Sequence, residues 1–579
     1  MIRRAAPLRL LSIPQRAGAG LVCGAVILAA LVTLQGASRE PVRARHGMVA
    51  SADTYASTAG VDILREGGNA VDAAVAVGFA LAVTYPSAGN IGGGGFMVIR
   101  LADGRETTID YRETAPAAAH RDMFLDGAGN PVAERSLVGP LAAGVPGSVA
   151  GLALAHRKYG RLPLARVMAP AVRLARDGFE VTWHVASALA GRQALFARFP
   201  STARVFLRPD GTAPAAGERL VQPDLAATLQ EIADHGPDAF YRGRIAGLIA
   251  AEMSRTGGLI TTADLARYAA VERAALTGTY RGYHIVSMAP PSSGGVALLQ
   301  LLNILEAYPL AEYGLNSSRT MHLMIEAERR VYADRSEWLG DPAFVRVPVG
   351  GLIAKPYASR LRASIDEARA TPSLAVAPGR PQDFESTQTT HYSVVDADGN
   401  AVSTTTTLNG GFGSGQVVAG AGFLLNNEMD DFSAKPGAPN MFGLVGGAAN
   451  AIAPGKRMLS SMTPTIVVRD GRPWLVVGSP GGGRIITTVL QVLLNVIDHR
   501  MDVQQAVDAP RFHHQWQPDD VRVEEVGFAA DVVHALEARG HTLRVDRDMG
   551  GVQAIAIDPA TGLRLGASDP REDGAALGY

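Results

Sequence analysis

The strongest constraint in this sequence is a change of period. Up to about residue 370 the text is mainly helical; over 371–388 periodicity fails among small and polar residues with Pro372, Pro378, Gly379 and Pro381; from residue 390 strands take over. The aperiodic stretch reads as an exposed linker. Strand-like runs follow it at 390–396, 401–408, 422–425, 463–468 and 474–477. Gly481 to Gly483 then introduce an apolar helical run at 485–497, and a helix at 531–540 and a strand at 551–557 come last. Ahead of the linker, a helix from Thr54 stops at Gly67 and Gly68, and a second starts behind Asn69, whose side chain can cap it, and runs to Val83. Two helices are therefore predicted to open the mature fold. Residues 96–100 and 106–111 form a hairpin around Asp103-Gly104, 141–281 is mainly helical, and a further helix covers 317–332. With no internal repeat, strands bracketed by helices predict a layered α/β or α+β sandwich with helices outside.

With 47% hydrophobic and 19% charged residues, the 579-residue chain can bury a large core. Lys and Arg number 54 against 55 Asp and Glu, a formal charge of −1 that argues against nucleic acid as a partner. Arg3, Arg4, Arg9 and Arg16 precede an uncharged apolar stretch over 17–34, and Gly36, Ala37 and Ser38 follow it. This pattern predicts a signal peptide over 1–38 and an exported protein, periplasmic or extracellular; an uncleaved membrane anchor is the rival reading. The lone cysteine, Cys23, lies inside that segment, so the mature form is predicted to lack disulfides, a thiol nucleophile and any cysteine-held metal.

The passage that points to chemistry is Gln388-Thr389-Thr390-His391-Tyr392-Ser393-Val394-Val395-Asp396-Ala397-Asp398-Gly399-Asn400, running on to Thr407-Leu408-Asn409. Asp398-Gly399 between two β-prone runs predicts a hairpin whose three-residue loop, 397–399, puts Gly399 in the left-handed position. That loop fixes the register: Thr389 faces Thr407, and Asn409 lies two residues further on the same face. A cut before Thr389, where the linker ends, would free an α-amine beside its hydroxyl. A threonine hydroxyl is a poor nucleophile unless a base takes its proton, and an α-amine with a pKa of about 7.7 to 8.0 suits that task. On residue type alone, threonines in a strand mean only that β-branched residues favour strands.

Longer motifs add to this. Thr389-Thr390-His391-Tyr392-Ser393-Val394-Val395-Asp396, Asn426-Asn427-Glu428-Met429-Asp430-Asp431-Phe432 and Ser460-Ser461-Met462-Thr463-Pro464 resemble the γ-glutamyltranspeptidase family, and the resemblance extends from about Gly47 to Tyr579. It implies an α+β N-terminal nucleophile hydrolase: a four-layer αββα sandwich, helices outside two stacked antiparallel sheets, made as one precursor that cleaves itself between Gln388 and Thr389. The large subunit would be 39–388 and the small, catalytic subunit 389–579, a heterodimer co-folded as one unit. The resemblance makes Thr389 the nucleophile, Thr407 its hydroxyl partner, and the backbone N–H groups of Gly481 and Gly482 the oxyanion hole. Glycine suits that role, because two amides can converge without a Cβ in the way. A clamp for a zwitterion is implied as well: Arg112 with the Ser460 and Ser461 hydroxyls for an α-carboxylate, and Asn409, Glu428 and Asp431 for an α-ammonium. The implied activity is γ-glutamyl transfer and hydrolysis on glutathione and related γ-glutamyl compounds. The acyl group would pass through a Thr389 ester to water or to an amino acid or peptide amine, with no cofactor or metal.

Residues 436–450, rich in Gly and Pro, resemble the family's lid loop. Many members have there a tyrosine that hydrogen-bonds the residue matching Asn409; Phe442 stands in its place, so a closed lid is expected to rely on apolar packing. Gly92 to Gly95 lack the Gly-Lys-Ser/Thr ending of a phosphate loop and read as close packing. His513 and His514, adjacent in a strand, point to opposite faces and read as structural. Pro290 to Gly295 lack the nucleophile-elbow pattern and receive no catalytic role. Two rival readings are a cephalosporin- or glutaryl-type acylase of the same fold, against which Glu428, Asp431 and the lid count, and a periplasmic solute-binding protein, which would stay one chain.

Overall fold

The computed structural model describes residues 38–384, 393–547 and 549–579. Thr389 and the predicted signal segment up to residue 37 lie outside them. From Glu40 to Tyr579 the chain packs as one unit around two seven-stranded sheets. The first sheet has the order Ala575–Gly578, Met48–Ser51, Val394–Val395, Ala401–Thr407, Gly94–Arg100, Glu106–Asp110, Val271–Ala274. The second has the order Val42–Ala44, Arg564–Ser568, Gln553–Ile557, Arg472–Gly478, Thr465–Arg469, Tyr283–Ser287, Leu276–Tyr280. Neighbours in both are antiparallel.

Strand alternation divides each sheet between two cores. In the first, Met97, Ile99, Val394 and Val402 share a core with the helices Thr54–Arg65, Ala70–Thr84 and Ser148–Tyr159, while Val98, Val395 and Ala401 face the other sheet. In the second, Val467, Leu475 and Val477 share a core with Gly294–Leu305, Ser318–Trp338 and Arg484–Ile497, while Ile466, Val468 and Val476 fill the space between the sheets. The layers are therefore helix, sheet, sheet, helix, as expected. Ala70–Thr84 shows how local sequence serves this: Asn69 and Asp72 make a capping box, and the helix is apolar nearly all round because it lies between the sheet and Leu164–Asp177.

The main departures are at the chain ends. Val42–Ala44 and Met48–Ser51 open the body ahead of the two helices, and Arg564–Ser568 and Ala575–Gly578 close it; each is too short to show alternation. Val271–Ala274 and Leu276–Tyr280 interrupt the end of the region read as helical. Residues 422–425 form no strand, since Gly420 and Gly422 turn at positive φ and leave an isolated bridge between Val417 and Leu424. The helix expected over 317–332 runs on as Ser318–Trp338; Glu326, Glu328, Arg329, Arg330, Asp334 and Arg335 are buried on it and disguise its inner face as polar. The described part of the linker is largely exposed but tethered. Thr371 N donates to Glu326 at 3.0 Å, Ser373 N to Asp519 at 2.8 Å and Gly379 N to Asp334 at 2.7 Å.

Candidate active site

The hairpin has the expected register: Val394 pairs with Val402, Val395 with Ala401, and Gly399 sits at φ +92°. Asn400 donates to the Asp396 carboxylate through N and Nδ2 at 2.9 and 2.6 Å, and Ala70 N reaches it at 3.0 Å, so the turn is tied to the start of Ala70–Thr84. The Ser393 and Ser403 hydroxyls meet at 2.8 Å in the same register. Beyond Thr407 the strand ends. Asn409 turns at φ +76° with its N–H donating to Thr407 Oγ1 at 2.7 Å, so it does not continue along the strand face as expected; both residues still line one cavity of about 300 Å³. The glycine run at 92–95 is close packing, for a Cβ at Gly93 would lie 2.1 Å from Thr407 O and one at Gly94 2.5 Å from Glu113 Oε2.

That cavity also gathers Arg112, Glu428, Asp431, Phe442, Ser460, Ser461, Gly481 and Gly482. Gly481 at φ +133° and Gly482 at φ +58° make the turn into Arg484–Ile497, angles at which a side chain is strained. Among the described residues neither of their N–H groups has an acceptor, which leaves both free for an oxyanion. Tyr332 Oη holds the turn through Gly483 O. A Cβ at Gly482 would lie 2.5 Å from the Phe442 ring, so the 436–450 loop packs directly on this turn.

The charged end is a buried network. Arg112 is fully buried, pairs with Glu428 through one terminal nitrogen and with Asp431 through the other, and has Glu113 Oε2 at 3.7 Å. Burial alone would discourage the Arg112 cation, but Glu428, Asp431 and Glu113 outweigh it and hold the guanidinium above its ordinary pKa. Burial likewise pushes Glu113, Glu428 and Asp431 above the usual carboxylate range, with Arg112 opposing it. The clamp's positive and negative halves, expected to meet the two ends of a ligand, thus face each other here. A second cation went unnoticed in the sequence. Arg335, buried, donates to Ser461 Oγ and Ser293 Oγ, both at 2.9 Å, leaving the Ser461 proton free for a ligand. Ser293 in turn donates to Ser460 O at 2.6 Å through Oγ, which gives the 290–295 motif a positioning role.

The loop over the cavity has polar anchors as well as the apolar packing expected of Phe442. Asn440 Oδ1 accepts from Phe442 N and Leu444 N at 3.1 Å, while its Nδ2 donates to Asp431 Oδ1 at 3.0 Å. Met441 N donates to Asp430 at 2.9 Å, and Gln515 Nε2 to Phe442 O at 3.1 Å. His513 Nε2 donates to Gln515 Oε1 at 2.8 Å; burial pushes this imidazole down to about 4, so it stays neutral and keeps its place. His514 instead meets Asp520 O at 2.8 Å, away from that chain of contacts. Asn409 Nδ2 faces Met441 Sδ at 3.7 Å, the neighbour of the residue expected to cover it.

A four-layer sandwich with a hairpin strand ending beside paired glycine amides defines an N-terminal nucleophile hydrolase. The family model for gamma-glutamyltranspeptidase matches residues 56–579, and the chain belongs to that family of enzymes. It is 55% identical to the glutathione hydrolase proenzyme of Escherichia coli (strain K12) over 540 residues, 93% of each chain. Its fold matches the cephalosporin acylase structure from Bacillus halodurans with a TM-score of 0.83 at 30% identity, covering 95% of this chain and 98% of that one. A Helicobacter pylori gamma-glutamyltranspeptidase chain matches with a TM-score of 0.57 at 43% identity, covering 61% of this chain and 99% of that one. Among the described residues no helix is long and apolar enough to cross a membrane, and no His, Cys, Asp and Glu cluster could hold a metal ion.

Proposed function

We propose that this chain is an exported precursor that cuts itself between Gln388 and Thr389 and then acts on glutathione and other γ-glutamyl compounds. The observation that carries the reading is the cavity itself, in which Thr407, at the end of a hairpin strand in the expected register, meets both the charged clamp and the free glycine amides. The proenzyme name of the Escherichia coli relative, and a Helicobacter pylori chain matched by only part of this one, support two subunits, 39–388 and 389–579. The basic and apolar leader supports export to the periplasm or beyond.

The chemistry follows from the residues. The α-carboxylate of the γ-glutamyl group binds at Arg112, Ser460 and Ser461, and its α-ammonium at Asn409, Glu428 and Asp431, replacing contacts these groups now make with one another. Thr389 Oγ attacks the γ-carbonyl carbon as the Thr389 α-amine takes its proton, and the Gly481 and Gly482 amides stabilise the oxyanion. Collapse breaks the amide bond, the leaving amine takes that proton, and a γ-glutamyl ester remains on Thr389. Water or an amine then attacks the ester and restores the hydroxyl. A cephalosporin- or glutaryl-type acylase would share fold and nucleophile, but two acids beside the arginine fit a group that carries an ammonium as well as a carboxylate better than a glutaryl group, which has the carboxylate alone. Intact mass of the purified protein and release of p-nitroaniline from γ-glutamyl-p-nitroanilide test the reading; a single chain that releases none overturns it.

Two consequences are measurable at this site. The clamp acids must be ionised to hold an ammonium, and burial raises them, so binding weakens as pH falls through a value above the usual carboxylate range. The acid limb of kcat/KM, which reports the free enzyme, should therefore lie at higher pH than that of kcat, because bound ammonium lowers the same pKa values. Coincident limbs would show that these acids do not meet the substrate. Asn440→Ala removes the contact to Asp431 and the turn inside the loop together. A hydrogen bond to a charged group is worth about 1.5 to 3 kcal/mol, so KM for a small donor should rise about tenfold or more with kcat little changed, and limited proteolysis should cut the 436–450 loop faster.

A further inference from the structure

The clamp uses only part of the cavity lining. Tyr85 and Ser87, and His184 and Ala188 from Trp183–Ala190, come from elements that supply nothing to the clamp, Gly411 follows the clamp residue Asn409 by two, and none of these is an Asp, Glu, Lys or Arg. The Tyr85 and His184 rings stack with centroids 6.4 Å apart and planes at 22°. Burial raises the Tyr85 hydroxyl above its ordinary pKa, so it stays a neutral donor. Phe412 N donates to Ser87 O at 2.9 Å, which joins the Gly411 loop to this group. On the other side, Phe412 meets Phe196 edge-on at 5.1 Å, and Phe196 closes the short helix that follows Arg192. This packing brings Arg192 Nη2 to 3.9 Å from the position of a Cβ on Gly411. Arg192 is exposed, and among the described residues its side chain has no hydrogen bond or ion pair. The acids beside Tyr85 and His184 are otherwise engaged: Asp573 accepts from His184 N at 3.3 Å, and burial pushes Glu572 up to about 8.

We infer that this rim is the subsite for the peptide that leaves or attacks, and that Arg192 binds the terminal carboxylate of that peptide. The inference rests on the γ-glutamyl reading. The clamp consumes both charges of the γ-glutamyl end, so what is joined to the γ-carbonyl occupies the remaining lining. In glutathione that part is a dipeptide ending in a carboxylate. An acceptor enters by the same place: its neutral amine attacks the Thr389 ester, the bond from carbonyl carbon to Oγ breaks, and the proton lost by the amine returns to Oγ through the Thr389 α-amine. An unpaired guanidinium at the rim favours a peptide with a free carboxylate over its amide.

The test compares glycylglycine with glycylglycinamide as acceptors, with γ-glutamyl-p-nitroanilide as donor because its leaving group has no carboxylate. Arg192→Gln should raise KM for glycylglycine about three- to fivefold, as expected for a solvent-exposed charge pair, and leave the amide acceptor and anilide hydrolysis unchanged. Arg192→Glu should raise it further by repulsion. Absence of anilide turnover in the unaltered enzyme sinks the γ-glutamyl reading and this subsite with it. Turnover with the same preference between the two acceptors in enzyme and variants, or with no preference in the enzyme itself, sinks the subsite alone.

Discussion

Thr389→Ala is expected to give a single uncut chain with no γ-glutamyl turnover. Alanine has no hydroxyl to attack the Gln388 carbonyl, so the step that frees the α-amine cannot start, and the base for later turnover never forms. Loss of a covalent nucleophile removes on the order of 10⁴- to 10⁶-fold of rate, which puts the variant below detection in an anilide assay. The fold should survive. Strands from both sides of the cut already interleave, with Val394–Val395 between Met48–Ser51 and Ala401–Thr407, and none of these contacts needs a free terminus. Thermal unfolding and circular dichroism close to those of the normal protein are expected beside one band on a denaturing gel. Thr389→Ser keeps a hydroxyl and should still cut. Two normal subunits from the alanine variant would show that another residue or another protein makes the break.

What could be read in advance was what a short stretch of chain encodes by itself. The Asp398-Gly399 turn is such a case: a three-residue loop with one left-handed glycine admits one register, and Val394 opposite Val402 is that register. Arg112, Glu428, Asp431, Ser460, Ser461, Gly481 and Gly482 could be named for a related reason, since each sits in a contiguous motif, whereas Tyr85, Ser87, His184 and Ala188 line the same cavity with no such signal. Arg335 was not legible, because it reaches Ser461 from the last turn of a long helix whose buried face carries Glu326, Arg330 and Asp334, and nothing in its spacing separates it from a solvated arginine. Asn440 and Gln515 act on the loop through backbone atoms of Phe442, so their own side-chain types carry no signal. The edge strands Val42–Ala44 and Ala575–Gly578 are held by pairing partners at the far end of the chain, and a few residues of alternation cannot announce such a partner. Local turns and motifs are written in sequence; contacts between distant segments are written only in the packed structure.

Arg112→Gln is expected to damage stability as well as binding, because this arginine holds three carboxylates together inside the protein. It is fully buried, and Glu428, Asp431 and Glu113 surround it. Breaking a buried ion pair by removing one partner costs about 3 to 5 kcal/mol, since the remaining charge is left uncompensated. The acids will respond by holding protons more tightly. Their folded-state pKa values are already raised by burial, so the native protein binds protons that the unfolded chain releases; the stability this gives is full below the ordinary carboxylate range and is lost as pH rises through the raised values. Without the opposing cation those values rise further, and the loss of stability from mildly acidic to neutral pH becomes steeper. Thermal unfolding across that window should show the variant close to the normal protein when acidic and well below it at pH 8. Binding loses the carboxylate contact in addition, about ten- to a hundredfold in kcat/KM. Adding Asp431→Asn to the same chain separates the two effects: one acid fewer should restore part of the stability at neutral pH, while donor affinity falls further because the ammonium loses a partner. A single variant whose unfolding follows the normal pH profile and whose KM is unchanged would mean that Arg112 neither neutralises this cluster nor meets the substrate.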